Sequence, residues 1–318
     1  MRNWSLPELK HEAILMDGGP SEIKRAENAI IRADLAVFNF YDNKLALRLI
    51  RQRAKLGTAF CFWGERPGYF QRQLGRLRRI WMLRPLHERR AAIWGIGRMA
   101  ANAYREEFGA FRDYVNLPYF SDLERFQVIP PRVASRQEFT FLYSGALIRR
   151  KGVDLVARAF ARLAAEHPQA RLRVMGDGNL AAKMRREVRH CAALVEFTGF
   201  KDWSDLPDEY ARANILCVPS RYDGWGLVVP EGLAAGLPVI STTQTGAAVE
   251  FLRNGENGWL VAAKDEGAIY RAMLEAVSLD AQRLVAMSAA ARATVAEHSL
   301  VNGVGRFIQA ADNAASDW

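Results

Sequence analysis

The sequence predicts an α/β protein made of two consecutive units, each built around a parallel sheet. Short apolar runs alternate with amphipathic helical stretches along most of the 318 residues, which is the pattern of βαβ units. Residues 117–137 interrupt the alternation with three prolines and no periodicity. Half of the residues are hydrophobic, so both units can bury a core. A chain of this length also favours two domains over one.

The first half contains five candidate strands, each a run of four to six mainly apolar residues, which favours a buried strand. The predicted strands are 13–16, 35–40, 58–63, 91–94 and 113–118. The predicted helices are 21–33, 43–54 and 97–108, with a basic helical region after the third strand. Because strands that alternate with helices pair in parallel, this half predicts a parallel sheet.

The second half repeats the same alternation with six candidate strands. The predicted strands are 139–144, 171–176, 194–199, 214–220, 238–242 and 258–262. The predicted helices are 153–166, 180–191, 205–213 and 230–236, followed by Ala- and Leu-rich helices from Asp265 onward. We therefore expect a first domain over residues 1–130, a second over 131–298 and a terminal helix over 299–318.

The composition favours a cytoplasmic protein. The first twelve residues are polar and charged, unlike a secretory signal. The longest uncharged run, residues 232–249, contains glycines and a proline and does not predict a membrane span. Three cysteines lie far apart, at positions 61, 191 and 217, which argues against a disulfide framework or a zinc site.

The positive charge is concentrated in the first half. The formal net charge is +9, and residues 48–105 hold fourteen Arg and Lys against two acids, Glu65 and Glu88. Within them, residues 69–90 interleave arginines with aromatic and aliphatic residues. Three interpretations compete: a solvated basic face, docking to an anionic membrane surface, or nucleic-acid binding. No nucleic-acid motif accompanies the charge, so we expect no nucleic-acid partner.

The loops that follow strands carry the candidate site residues, because ligands of open parallel sheets bind at the carboxyl ends of the strands. The loop after 139–144 holds Gly145, then Arg149, Arg150 and Lys151 just before a helix. Three cations at a helix start predict an anion site; a solvated loop with incidental charges is the alternative. Later loops contain Gly176-Asp177-Gly178, a weak signal by itself, and Phe200 after a strand.

The most informative loop is SRYDGWGLVVPEGLAAG, residues 220–236. Gly224 and Gly226 allow close approach of a ligand to the backbone, and Asp223 precedes Glu231 by eight positions. Pro230 is placed for the first turn of a helix. An acid in a first helical turn is ordinarily explained by the helix dipole, so that structural interpretation competes with ligand binding for Glu231.

These loops resemble the nucleotide-sugar-binding half of glycosyltransferase family 4. The matching segments are SGALIRRKGVDLV, VMGDGNL, VEFTGF and the stretch from SRYDGWGLVVPEGLAAGLPVIS to NGENGWLV, within residues 139–262. The first half resembles the family only in outline. The resemblance implies an α/β fold of the GT-B type, with two Rossmann-like domains facing an interdomain cleft and a short first domain. It also implies retaining transfer of a sugar from a nucleoside diphosphate sugar to a hydroxyl.

The resemblance further implies roles for individual residues. Asp223 would face the transferred sugar, and Glu231 would bind the ribose hydroxyls. Lys151, with Arg149 or Arg150, would neutralise the diphosphate. Asp223, Lys151 and Arg150 are thus the expected catalytic residues. The other expected substrate-binding residues are Gly145, Gly176, Asp177, Phe200, Gly224, Trp225, Gly226 and Leu227.

The chain also departs from the family pattern. Asp223 stands where the family usually has Glu, and Ala146 stands where many members carry a phosphate-binding Arg. A histidine expected after a strand of the first domain is missing. Asp42, Glu65 and Arg66 occupy post-strand loops there and are the acceptor-side candidates.

The resemblance completes the expectations for cofactors, partners and pathway. No Asp-x-Asp pair occurs, so we expect no metal and no cofactor besides the donor substrate. The acceptor would be a glycan or a lipid-linked glycan in surface polysaccharide or lipopolysaccharide-type biosynthesis, at the inner face of the membrane. The terminal helix would cross back to the first domain. A non-catalytic nucleotide-sugar-binding protein of the same fold is the alternative.

Overall fold

The computed structural model describes residues 19–39, 43–68, 73–88, 91–127 and 138–318. The chain divides into two compact units, one before Tyr119 that also includes Val304–Trp318, and one over Tyr119–Gly303. This division differs from the domain boundaries expected at residues 130 and 298. The predicted strand 13–16 and the candidate Asp42 lie outside the described residues.

Within its described residues, the first unit contains a four-stranded parallel sheet in the order β1-β2-β3-β4. Its elements are α1 (Pro20–Arg32), β1 (Ala36–Phe38), α2 (Lys44–Leu56), β2 (Phe60–Gly64), α3 (Gln73–Met82), α4 (Arg84–Glu88), β3 (Ile93–Gly95), α5 (Arg98–Phe108) and β4 (Tyr114–Asn116). Each strand and helix falls within a few residues of its predicted place. The apolar faces of α2 and α5 cover the sheet, with Ile50, Phe60, Ile93 and Tyr104 at most 2% exposed.

The second unit contains a six-stranded parallel sheet in the order β10-β9-β8-β5-β6-β7. Its elements are α6 (Glu124–Gln127), β5 (Phe139–Ser144), α7 (Val153–Glu166), β6 (Ala170–Met175), α8 (Ala181–Glu187), β7 (Val195–Gly199), α9 (Leu206–Ala211), β8 (Ile215–Val218), α10 (Val228–Ala234), β9 (Val239–Thr242), α11 (Gly246–Phe251), β10 (Gly258–Val261), α12 (Glu266–Val277) and α13 (Ala281–Thr294). The last helix, α14 (Leu300–Ser316), begins in this unit and belongs to the first unit from Val304 onward. The strand order reverses between β5 and β8, and such a reversal point is where open parallel sheets bind ligands.

Two predicted helices of the second unit differ from the observed helices in their bounds, and the short helices α6 and α11 were not predicted. The helix expected at 230–236 begins at Val228, so Pro230 is its third residue. A proline fits there because the first N–H groups of a helix have no intrahelical acceptor. The helix expected at 180–191 ends at Glu187, and a 3₁₀ turn, Arg189–Leu194, follows. Val, His and Cys are weak helix formers, which explains the early end.

The last residues of the chain complete the first unit. The Phe307 ring lies 5.7 Å from the Trp63 ring and 5.5 Å from the Trp94 ring, centre to centre. The Trp318 indole donates to the Gly57 carbonyl at 2.7 Å and packs on Phe60. Among the described helices, none has the length and apolarity that a transmembrane span requires.

A buried guanidinium joins α1 to the first sheet. Arg53 is 0% exposed and donates to the carbonyls of Ile30 at 2.6 Å and Ala33 at 3.0 Å, at the end of α1. It also donates to the Ala59 carbonyl, just before β2. The carbonyls of Ile30 and Ala33 lie at the end of α1, where a helix leaves carbonyls without intrahelical partners, and the Ala59 carbonyl also accepts the Ala36 N–H at 3.2 Å. Arg53 therefore connects the end of α1 to the start of β2.

We predict that Arg53→Met lowers the free energy of unfolding by about 2–4 kcal/mol, because it removes a buried guanidinium that donates hydrogen bonds to several main-chain carbonyls. Urea denaturation measures the change. Lys55→Met, on the exposed side of the same helix, is the control and should shift stability by no more than about 0.5 kcal/mol. Equal stability of the two variants would show that the Arg53 hydrogen bonds are dispensable.

Candidate functional site

The candidate site lies at the carboxyl ends of β5 and β8, the neighbouring central strands of the second unit. The loop after β5 carries the cluster of basic residues, and the loop after β8 carries Asp223. The two loops are far apart in sequence, and the parallel pairing of β5 with β8 brings them to the same edge.

The basic loop forms a 3₁₀ turn, Arg149–Lys151, that leads directly into α7. Gly152 joins turn and helix with φ +72°, in the left-handed region. A Cβ atom at this position would lie 1.9 Å from the carbonyl oxygen of Pro219, so only glycine lets the two loops approach this closely. Gly152 was not among the predicted site residues, although its place before a helix was visible in the sequence.

The structure brings the three predicted catalytic residues together. The Lys151 ammonium lies 2.5 Å from Oδ2 of Asp223, and the Arg150 guanidinium lies 3.6 Å from Oδ1. Asp223 is buried, and its backbone N–H donates to the Gln244 carbonyl at 2.9 Å. The carboxylate therefore has a fixed position and holds the two cations, which keep part of their surface in solvent.

The Arg149 side chain is exposed, whereas its backbone makes a hydrogen bond to a neighbouring side chain. Its carbonyl accepts a hydrogen bond from the Arg221 guanidinium at 2.7 Å. That guanidinium also forms two hydrogen bonds with the carboxylate of Asp154, at 2.6 and 2.7 Å. Sequence reasoning missed this pair, because nothing in the spacing of residues 154 and 221 indicates contact.

Burial of Asp154 raises its pKa, but the hydrogen bonds and charge of Arg221, with the charge of Arg158, outweigh burial. The net effect holds the pKa of this carboxyl below its ordinary value of 3.8. The pair therefore stays ionised at neutral pH.

The glycines after β5 and β6 allow the strand ends to pack closely. The Gly176 N–H donates to the Gly199 carbonyl at 2.8 Å, and a Cβ at Gly176 would lie 2.0 Å from the Gly145 carbonyl oxygen. Asp177 is exposed, and its carboxylate accepts the Gly178 N–H at 2.7 Å. Asp177 thus stabilises its own turn. Phe200 follows β7 with 51% of its surface exposed.

The loop from Gly224 to Leu227 combines an anchored side chain with an accessible backbone. Trp225 is 1% exposed, and its ring packs against Phe251 and His298, so its indole belongs to the core. Gly226 has φ +91°, and a Cβ there would lie 3.2 Å from Oδ2 of Asp223. Gly224 is buried and Leu227 is 38% exposed. The Trp225 ring is therefore not available to a ligand.

Glu231 lies on α10, four positions into the helix, and is partly exposed. The Tyr210 hydroxyl lies 3.4 Å from its Oε2 and 3.4 Å from the Ser144 hydroxyl at the end of β5. Tyr210 was not predicted, since nothing in the sequence around it indicates contact with residue 231. Its position links Glu231 to the end of β5.

The acceptor-side candidates belong to the first unit. Glu65 and Arg66 directly follow β2, at the carboxyl end of its sheet. The Glu65 carbonyl accepts a hydrogen bond from the Tyr104 hydroxyl at 2.7 Å, and its side chain is exposed. Within the described ranges of both units, no three His, Cys, Asp or Glu residues group closely enough to hold a metal ion.

We predict a pH-dependent stability loss for Asp154→Asn. The carboxyl has a lower pKa folded than unfolded, so its contribution is present above about pH 4 and is lost as the pH falls through the folded value. At pH 7 the variant should be less stable by about 2–4 kcal/mol, since Arg221 keeps a buried charge without its carboxylate. The difference from wild type should shrink below pH 4.

Urea denaturation between pH 7 and pH 3 measures this difference. Asp312→Asn, an exposed carboxyl on α14, is the control and should change stability little at any pH. A constant difference between Asp154→Asn and wild type across this range would contradict the ionised pair.

Comparison with known proteins identifies the family of the chain. The family model described as "Glycosyl transferases group 1" matches residues 127–294, more than half of the chain. A GDP-mannose-dependent monoacylated alpha-(1-6)-phosphatidylinositol monomannoside mannosyltransferase of Corynebacterium glutamicum is 28% identical over 216 residues, 63% of this chain and 56% of its own length. A GDP-mannose-dependent alpha-(1-6)-phosphatidylinositol monomannoside mannosyltransferase of Mycobacterium tuberculosis is 25% identical over 304 residues, 89% of this chain and 77% of its own. The chain thus spans a little over half of the first relative.

Solved structures share the fold. The Anabaena protein HepE in complex with UDP superposes with a TM-score of 0.77 at 16% identity, over 93% of this chain and 82% of its own. The sucrose-phosphate synthase of Thermosynechococcus elongatus superposes with a TM-score of 0.76 at 21% identity, over 93% and 77%. These likenesses and the two parallel sheets confirm the predicted α/β fold of the GT-B type. Together with the family match, they confirm the resemblance that the motifs indicated: the chain belongs to the glycosyl transferases group 1 family.

Proposed function

We propose that this protein transfers a hexosyl group from a nucleoside diphosphate sugar to a hydroxyl acceptor. The observation that carries the proposal is the grouping of Lys151 and Arg150 on the buried carboxylate of Asp223, at the point where the strand order of the second sheet reverses. Family membership supports the same reaction class.

The basic loop suits a diphosphate. Lys151 and Arg150 supply two positive charges, and α7 begins immediately after them with no side-chain cap on its first N–H groups. A helix start of this kind attracts phosphate. We propose that Asp223 orients Lys151 toward the diphosphate, in addition to the sugar-facing role that the resemblance implies.

The reaction breaks the bond between the anomeric carbon and the β-phosphate oxygen, and the electron pair leaves with the nucleoside diphosphate. A bond forms between the anomeric carbon and the acceptor oxygen, while the hydroxyl proton passes to the departing phosphate or to water. Negative charge therefore grows on the leaving group, where one well-aimed cation or amide contributes about 3–4 kcal/mol to transition-state stabilisation. Retention of the anomeric configuration is part of the proposal and rests on the motif resemblance.

The remaining residues suit the nucleoside and the sugar. A carboxylate can accept hydrogen bonds from two neighbouring hydroxyls, so we assign the ribose to Glu231, which Tyr210 supports from behind. The amides around Gly226 and Leu227 are assigned to sugar and phosphate, and the exposed ring of Phe200 to the base. The proposal balances the diphosphate charge with protein cations and needs no divalent ion.

We propose a glycan or lipid-linked glycan as the acceptor, in surface polysaccharide or glycolipid synthesis. The relatives are named as enzymes that use GDP-mannose on a phosphatidylinositol mannoside, and a structural neighbour binds UDP. Glu65 and Arg66 are the candidate acceptor contacts on the first unit. GDP-mannose and UDP-glucose are therefore the first donors to test.

A face of the first unit supports action at the inner surface of a membrane. On α3, Trp81 and Leu77 are 71% and 62% exposed, and the Arg51 guanidinium of α2 lies 5.8 Å from the centre of the Trp81 ring. The exposed basic residues of α2 and α3 are Lys44, Arg48, Arg51, Lys55, Arg76 and Arg78. Apolar side chains among cations suit an anionic lipid surface.

Donor hydrolysis and transfer assays test the proposed function. The protein should release GDP or UDP from a panel of nucleotide sugars, with and without lipid-linked acceptors, and EDTA should leave the rate unchanged. Proton NMR of the product should show the donor's anomeric configuration. Nucleotide binding without turnover, unaffected by Asp223→Ala, would instead support the non-catalytic alternative, and silence in binding and turnover would overturn the proposal.

We predict different losses for two site variants. Lys151→Ala should lower kcat about 100-fold or more, because the ammonium stabilises charge that develops in the transition state. Glu231→Ala should mainly raise the donor KM, by about tenfold, since the ribose contacts are the same in ground and transition states. Steady-state kinetics separate the two effects. Lys183→Ala, an exposed lysine on α8, is the control; full activity of both site variants would refute the site.

We also predict binding to anionic vesicles. Co-sedimentation with phosphatidylcholine vesicles containing phosphatidylglycerol should be about tenfold stronger than with phosphatidylcholine alone, and should fall with salt. Trp81→Ala should weaken it about fivefold by removing the inserted ring. Phe111→Ala, which truncates another exposed aromatic of the first unit (54% exposed), should not. Equal binding to both vesicle types, or retention only on nucleic acid, would argue against a membrane surface.

A further inference from the structure

We infer that Arg221 is a positioning residue for the diphosphate-binding loop, Arg149–Lys151. This inference rests on the proposed function of that loop. Arg221 does not belong to the expected site residues, and its side chain is 9% exposed. It acts through the backbone of the loop, because its guanidinium holds the Arg149 carbonyl at 2.7 Å.

The guanidinium connects the loop to the first turn of α7. One nitrogen, Nη1, donates to the Arg149 carbonyl and to Oδ1 of Asp154, and the other, Nη2, donates to Oδ2 of Asp154 at 2.7 Å. Asp154 is the second residue of α7. Arg221 therefore connects Arg149, the first residue of the turn, to Asp154, which follows the turn. The two other cations of the loop lie between these two residues in the sequence.

The loop needs such an outside support. A 3₁₀ turn of three residues has weak hydrogen-bond geometry of its own, and Arg149 and Arg150 are exposed. The backbone N–H of Arg221 also donates to the Arg150 carbonyl, at 2.8 Å. This second bond survives any substitution of the side chain, so the effect of losing the guanidinium can be measured in an otherwise folded loop.

Arginine suits this position better than lysine. Its planar fork offers several N–H donors in fixed directions, and here they serve one carboxylate and one carbonyl at once. A lysine ammonium is a compact point charge on a flexible stem. The Arg221→Lys variant would keep the charge beside Asp154 without fixing both acceptors together, so it separates the effect of charge from that of geometry.

The structure provides a matched control on the other side of Asp154. Arg158 lies 3.5 Å from Oδ2 of Asp154 and donates to Glu266 at 2.6 Å, but its ion pairs are with acids on helices, not with the basic loop. Arg158→Met and Arg221→Met both remove a cation from the same carboxylate. Only Arg221→Met also releases the Arg149 carbonyl.

Three measurements test the inference: calorimetric titration, steady-state kinetics and hydrogen exchange. Calorimetric titration with GDP and UDP should show about tenfold weaker binding for Arg221→Met, a change expected for one lost charge-assisted contact network. Arg158→Met should bind within about twofold of wild type, and Arg221→Lys should recover less than half of the loss. Donor KM should rise in Arg221→Met while acceptor KM stays the same. Hydrogen exchange of the peptide over residues 146–153, measured without nucleotide, should quicken in Arg221→Met but not in Arg158→Met.

The outcomes separate this inference from the proposed function. If GDP and UDP do not bind wild type, or bind Lys151→Ala equally well, the loop is not a diphosphate site and both proposals fail. If Lys151→Ala weakens binding but Arg221→Met and Arg158→Met behave alike in titration and exchange, the positioning role alone is wrong.

Discussion

The second unit depends on the close contact between the loops that follow β5 and β8. Gly152 allows it, since a side chain there would overlap the Pro219 carbonyl. The contact aligns the basic turn with Asp223 and lets the backbone N–H of Arg221 reach the Arg150 carbonyl. A parallel pair of central strands can bring two loops to one edge of the sheet. This contact then brings the two loops within hydrogen-bonding distance of each other.

Two layers of charge lie at this edge, and burial distinguishes them. In the outer layer, Lys151 and Arg150 meet Asp223 and stay partly exposed. In the inner layer, Arg221 and Asp154 are each 9% exposed in their side chains and form a two-point pair. A buried ion pair with full hydrogen bonding resists rearrangement, because separating the two groups leaves a buried charge without a partner or water. The inner layer is thus the rigid support, and the outer layer keeps the exposure that the proposed diphosphate site requires.

The first unit shows the same separation between a fixed interior and an available surface. The buried Arg53 guanidinium donates to carbonyls at the end of α1 and to the carbonyl just before β2. The other cations of α2 are exposed, and the Arg51 guanidinium lies 5.8 Å from the centre of the exposed Trp81 ring on α3. One helix therefore uses chemically similar residues both as internal connectors and as the basic surface that suits anionic lipid. The return of the last residues to Trp63 and Trp94 completes the unit.

The sequence by itself determined the alternation of strands and helices, because the spacing of apolar residues and the glycines that follow strands and helices are local properties. It placed β5 at its observed residues and the other described strands within a few positions. It also indicated the loops that matter, since Arg149–Lys151 precedes a helix and Asp223 lies in a glycine-rich segment. Its errors were local as well: it began α10 two residues late, because a proline suits any of the first positions of a helix, and it extended α8 beyond Glu187.

Only the tertiary structure decided which of these residues meet. The contacts of Asp223 with Lys151, of Arg221 with Asp154 and of Tyr210 with Glu231 join positions that are 21 to 72 residues apart along the chain. No local pattern encodes such contacts, because they follow from the strand order, which places β8 beside β5 rather than beside β7. Packing against Phe251 and His298 likewise places the Trp225 ring in the core, which no local pattern indicated. The sequence thus indicated which side chains could take part in a site, whereas the distances between them depend on how the strands pair in the sheet.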